Sequence, residues 1–387
     1  MLKNTLFFLL LISVGLVATD IYIPSLPALA DYFHTSERTT QMTMFSYLAG
    51  SALAPLIFGP ISDHIGRKKV VGYGLVIAFF ATWICLFALT MSWIILGRLI
   101  QGIGTGAVMI SARAMIADTY TGKALAKQLS YIAMAMPLIL SFAPMIGGFL
   151  QETFDWQAVF VFLIGYFIMI FMIAYYRSET LEKTTHKKLS QVFSQYRVHL
   201  RNRPFIHFGL GMGFPTAGLY AYFTASPFLF QEVIGLSPSQ YGLLTVYIGA
   251  VVVSAAYVNA RLIHRYSLST LLWVGSSLMM LAGILMLVFY AMDIVTTWSV
   301  LLPTLLFMAS IPFSIANSLA KAMSLVKHHF GIASALMTTG QFLLGATGSF
   351  LVSVLKDGTS FSLGSCFLII GIASSLNLSQ GIHWEDS

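Results

Sequence analysis

Two side chains in this sequence stand where their chemistry is expensive. Asp20 is the lone carboxylate of a long apolar stretch, in Thr19-Asp20-Ile21-Tyr22-Ile23-Pro24-Ser25-Leu26-Pro27, and Arg98 interrupts another, in Gly97-Arg98-Leu99-Ile100-Gln101-Gly102. An arginine within an apolar helix marks a pathway or a partner by default. Gln101 and Gly102 share its helix face at i+3 and i+4. A carboxyl group removed from water favours keeping a proton, whereas a guanidinium nearby favours its release. That competition suits a group that takes up and gives up a proton, and we expect Asp20 and Arg98 to act together in proton coupling. The plainer reading of Asp20 is a cap at an interfacial helix end.

Further chemistry is concentrated in Gly59-Pro60-Ile61-Ser62-Asp63-His64-Ile65-Gly66-Arg67-Lys68-Lys69, a charged knot in a chain only 9% charged. Gly59 and Gly66 would permit close packing and turning. Asp63 can accept hydrogen bonds from the start of the next helix or pair with a base, and Asp118 offers a second carboxylate to Arg67 or Lys68. A cluster of this kind can lock one arrangement of a protein and release another; a simple basic loop is the plainer reading. Farther on, Pro137 and Pro144 are seven residues apart, share a helix face and free backbone carbonyls, and Gly147-Gly148 permits close contact beyond them. Tyr22, Tyr47, Gln101, Met109, Tyr220, Tyr222, Tyr247, Asn317 and Gln341 are candidates for the wall of a substrate cavity, since soft and aromatic side chains adapt to varied apolar ligands.

These groups need a scaffold, and composition says which. Hydrophobic residues make up 57% of the 387 and mean hydropathy is +0.82, beyond what a soluble domain accommodates. Twelve apolar runs near bilayer-crossing length recur, at about 5–25, 39–59, 70–90, 92–114, 128–150, 157–176, 205–229, 239–260, 268–290, 299–320, 330–354 and 361–380. Long Leu/Ile/Phe/Met/Ala blocks without ten-residue alternation indicate helices rather than barrel strands. The first run exceeds a signal-peptide core and lacks a small-x-small cleavage site after it. The chain is therefore expected to be an all-α membrane protein of twelve transmembrane helices in two six-helix bundles, 1–176 and 205–387. A basic cytoplasmic linker at 177–204 would carry a possible interfacial helix containing Val192, Phe193, Tyr196 and Leu200.

Orientation follows from the basic residues. Placing both termini in the cytoplasm puts seventeen of the 21 Lys and Arg inside; Arg38 and Lys356 fall outside, and Arg98 and Arg113 lie within the fourth span. The net charge of +7 then reflects topology, leaving few bases for a nucleic-acid face. Cys85 and Cys366 read as small core hydrophobes. No phosphate-binding G-x-x-x-x-G-K-[ST] loop is present, so no cofactor is expected and ion gradients are the energy source left. The absence of H-E-x-x-H, G-x-S-x-G or paired intramembrane aspartates argues against an enzyme.

The spacing G-x-x-x-D-x-x-G-R-K over Gly59–Lys68 resembles the signature between the second and third helices of the major facilitator superfamily, on its cytoplasmic side. Arg98, Gln101 and Gly102 are similar to the second signature, R-x-x-Q-G, whose Arg is tied to proton transfer. Pro144-Met145-Ile146-Gly147-Gly148 resembles the antiporter motif G-P-x-x-G-G, with Ala143 in place of its first Gly. Trp156 and Phe160 fit the W-x-x-x-F start of helix six. The T-D-x-Y-x-P-x-x-P string from Thr19 is similar to that of the bicyclomycin/chloramphenicol-resistance branch of drug:proton antiporters. The resemblance implies an exporter of small amphipathic compounds, driven by protons, in a bacterial inner membrane, and a monomer is the default expectation because neither half needs a partner to complete the pathway. A metabolite or siderophore transporter of the same fold, even an importer, is the alternative.

Overall fold

The computed structural model describes residues 2–181, 196–326, 330–355 and 359–386, and all its regular elements are helical. The first span is broken. α1 (Leu2–Asp20) ends at the carboxylate, a 3-10 turn covers Ile23–Ser25, and α2 (Leu26–Tyr32) resumes. The cause is local: Pro24 and Pro27 lack the N–H groups that a continuous helix would send back to the carbonyls of Asp20 and Ile23. Eleven spans follow as α3 (Glu37–Ile65), α4 (Arg67–Leu86), α5 (Met91–Thr119), α6 (Gly122–Phe154), α7 (Gln157–Tyr175), α8 (Arg203–Phe228), α9 (Pro238–Leu262), α10 (Leu268–Ala291), α11 (Thr297–Ser324), α12 (Phe330–Val354) and α13 (Ser360–Asp386). Eleven of the twelve are long and apolar enough to cross a membrane on composition alone; α8 falls short because glycine, proline, threonine and tyrosine dilute its hydropathy.

Two compact units emerge. One comprises Met1–Phe193 with Pro238–Thr245, the other Ser194–Ser237 with Val246–Ser387. In the first, small residues set the spacing of helices. A side chain at Gly102 would overlap the carbonyl of Tyr47, and Gly106 lies against Ala54, so α5 and α3 meet backbone to backbone. In the second, Phe205, Phe208, Met212, Leu272, Ala322, Met337 and Leu378 form a core shared by α8, α10, α11, α12 and α13. Of the expected interfacial helix, Val192 and Phe193 lie outside the described residues, while 196–201 are helical.

The charged knot differs from expectation. It is no loop: α3 runs on through Asp63 to Ile65, α4 starts at Arg67, and Gly66 alone forms the corner, with φ +108°. Only glycine adopts that backbone freely. Gly59 has no close neighbour that a side chain would meet among the described residues, so the expectation that it allows tight packing is corrected.

Candidate functional site

The break in the first span is where the chemistry gathers. Both oxygens of Asp20 are fully buried, and neither has a hydrogen-bond partner among the described residues. Arg98, also fully buried, does not form an ion pair with it. Instead its Nη1 donates to the carbonyl of Ala18 at 2.8 Å and to Gln101 Oε1 at 2.6 Å. In an unbroken helix the Ala18 oxygen would take the Tyr22 N–H. Here it belongs to the C-terminal end of a half-helix, where the backbone dipole favours a cation. The guanidinium is also sandwiched: its carbon lies 4.5 Å from the ring centre of Tyr22 and 4.2 Å from that of Tyr47. Cation–π contact of this kind substitutes for part of the lost hydration.

Each member is held from behind. Tyr47 Oη donates to the carbonyl of Gly15 and bonds to Thr105 Oγ1, Tyr22 Oη donates to Thr43 Oγ1, and Gln101 Nε2 donates to Thr82 Oγ1 at 2.7 Å. Gly147 of α6 seats directly on the break, where any side chain would overlap the carbonyl oxygen of Ile21. The adjacent Gly148 does the same against the carbonyl of Pro238, and Thr245 Oγ1 donates to the Ser141 carbonyl between Pro137 and Pro144. One helix thus carries both the floor of the acidic site and the seat for the start of α9.

At the end of this unit where α1 begins, Arg67 is the hub of the knot. It pairs with Asp63 one turn earlier, reaches Asp118 Oδ2 through Nε at 3.2 Å and donates to Ser62 Oγ at 2.6 Å. Asp118 therefore partners Arg67 and not Lys68, whose Nζ goes to the carbonyl of Tyr175 at 2.7 Å. Sequence reasoning missed Glu179. Gly66 has no side chain with which to cap α4, so its first amides would be orphaned. Glu179 supplies the cap from a distance, accepting from Arg67 N and Lys68 N, both at 3.1 Å. An acidic residue just after an apolar span and ahead of a basic run was the available signal. Glu179→Ala should cost about 1 kcal/mol, the usual loss for a helix cap. Hydrogen exchange at the Arg67 and Lys68 amides should rise several-fold, and unchanged exchange would make the contact incidental.

The cavity candidates separate. Tyr22, Tyr47 and Gln101 are buried parts of the Arg98 cage rather than an open wall, and Met109 is packed against Gly15. In the second unit Tyr220 and Tyr222 are buried, Asn317 donates to Asn259 Oδ1 and the Phe313 carbonyl, and Gln341 donates to Thr216 Oγ1. Tyr247 is exposed beside Trp298. Gln341 and Tyr220 are neighbours, since Thr216 and Tyr220 both lie against Gly345.

The sequence profile described as Major Facilitator Superfamily matches residues 7–349. The chain is 28% identical over 370 residues to multidrug resistance protein D of Escherichia coli, covering 95% of this chain and 92% of that one. It is 23% identical over 393 residues to a bicyclomycin resistance protein homolog of Haemophilus influenzae, covering 96% of both. Among solved structures, the xylose transporter XylE from E. coli superposes with a TM-score of 0.75 at 15% identity over 97% of this chain and 96% of that one. At that identity the likeness speaks for the fold.

Proposed function

This chain belongs to the major facilitator superfamily, a multi-pass family of membrane transporters rather than enzymes, and we propose that it exports small amphipathic compounds in exchange for protons by alternating access. The observation that carries this reading is the buried Asp20 carboxyl with no donor at either oxygen. An isolated carboxylate so placed is far costlier than the neutral acid, and we read this arrangement as the proton-loaded one. Loss of the proton would create a charge that Arg98 is placed to meet. To do so it must leave the faces of Tyr22 and Tyr47, which moves the break in the first span. Proton and substrate then compete, because each stabilises a different arrangement of one site.

The resistance names of the relatives support export of drug-like compounds. We place the protein as a monomer in a bacterial inner membrane with both termini cytoplasmic, which puts the Arg67 knot on the inner face. There the Asp63–Arg67–Asp118 cluster would stabilise the outward-facing state. Asp63→Asn leaves the Arg67 guanidinium with Asp118 and Ser62 among the described residues, so it should slow turnover more than it weakens binding. Cysteine pairs across the cytoplasmic ends should crosslink less readily in that variant; unchanged crosslinking and transport would reduce the knot to a topology signal.

The function is tested in everted membrane vesicles with an imposed proton gradient. Addition of a transported drug should dissipate the gradient only where the protein is present. A panel of drugs that leaves the gradient intact, with a siderophore or metabolite dissipating it, would replace the substrate class.

A further inference from the structure

A column of aromatic rings leads away from the Arg98 cage to the other end of the first unit. Behind Tyr22 lies Phe160, with ring centres 5.6 Å apart; behind Phe160 lies Trp156 at 5.9 Å; and Trp156 meets Tyr32 at 5.2 Å and Phe33 at 5.7 Å. Tyr22 comes from the break in the first span, and Tyr32 and Phe33 from the end of α2. The broken span is thus clamped to the start of α7 at its break and again at its far end. Two further features mark Trp156. It is 2% exposed, yet its indole N–H has no acceptor among the described residues, whereas buried indoles normally find one. It is also placed at a corner at Asp155, a non-glycine residue at φ +74° whose Oδ1 accepts the backbone N–H of Trp156 at 2.7 Å. Such backbone persists where the surroundings require it.

We infer that Trp156 is a positioning residue for the proton site, acting through Phe160 to hold Tyr22 against Arg98 and so to keep Arg98 off Asp20. The inference rests on the reading of Asp20 as the proton carrier. The charged and titratable side chains around that carboxyl are Arg98 of α5, Tyr47 of α3, Tyr22 of the break and, beyond Arg98, Cys85 of α4. α6 and α7 bring Gly147 and Phe160 to the break, neither of them charged. Without the wedge, the Tyr22 ring relaxes toward α7 and the guanidinium is free to approach the carboxyl. The ionised form then gains.

Infrared titration of the purified protein in liposomes tests this without a substrate. The carboxylic-acid C=O band that Asp20→Asn removes reports the protonated Asp20. In Trp156→Leu and Phe160→Leu its midpoint should fall by about one pH unit, a tenfold loss in proton affinity. Trp156→Phe, which keeps a ring in place, should stay near the wild-type midpoint. Folded Leu variants with the wild-type midpoint overturn the proposal, as does failure of both to fold, which would make the pair a structural wedge alone. A wild-type spectrum with no band removed by Asp20→Asn would instead overturn the proton-site reading beneath it.

Discussion

Asp20→Asn should fold, insert and unfold thermally much like the wild type, yet carry no substrate-driven proton flux. Asparagine has the shape of the protonated side chain and cannot release a proton. If the native residue is a neutral acid in this arrangement, the exchange changes stability by no more than about 1 kcal/mol. Were it instead a buried carboxylate with no donor, removing the charge would stabilise the protein markedly, because an uncompensated buried charge is strongly destabilising. Thermal unfolding therefore reports the protonation state, and vesicle flux reports the role. Drug-driven proton flux at the wild-type level in the Asn variant would remove Asp20 from the mechanism.

Arg98→Ala should abolish transport and destabilise the first unit by about 3–5 kcal/mol. The substitution empties the space between two tyrosine rings and leaves the Ala18 carbonyl and Gln101 Oε1 without their donor. Arg98→Lys is the more discriminating change. Both hydrogen bonds come from Nη1 alone, so a single ammonium can in principle make them. What lysine cannot reproduce is the planar stack between Tyr22 and Tyr47. Partial activity in the Lys variant would assign the coupling to charge, whereas inactivity like that of Ala would assign it to the stack. Purified-protein melting curves with vesicle transport separate the two.

Much of this was legible in the sequence because bilayer physics leaves few choices. Twelve apolar runs become twelve helical spans, since lipid offers the backbone no other hydrogen-bond partners. The prolines after Asp20 announced special backbone there, but not the outcome, a 3-10 interruption that lends the Ala18 carbonyl to Arg98. Residue type alone cannot say whether an intramembrane Asp and Arg will pair or stay apart. That depends on Tyr22 and Tyr47, which arrive from the break itself and from α3, and which had been assigned to a substrate wall. The knot was recognised by its spacing, with turning expected at both Gly59 and Gly66; helix α3 runs through Gly59, and the turn narrows to Gly66. Glu179 was overlooked because its partners are backbone amides, which leave no mark in a sequence. Trp156 and Phe160 were noted as a motif, and only their ring-to-ring path to Tyr22 gives them a task.

On this reading Asp20 holds a proton in one arrangement and, once substrate displaces that proton, stands as a carboxylate met by Arg98 in the other. Mixing the purified protein with a transported drug in weakly buffered solution measures this directly. Acidification is expected, with one proton released per protein at saturation and none in Asp20→Asn. Proton uptake on drug addition, or undiminished release from the Asn variant, would contradict it.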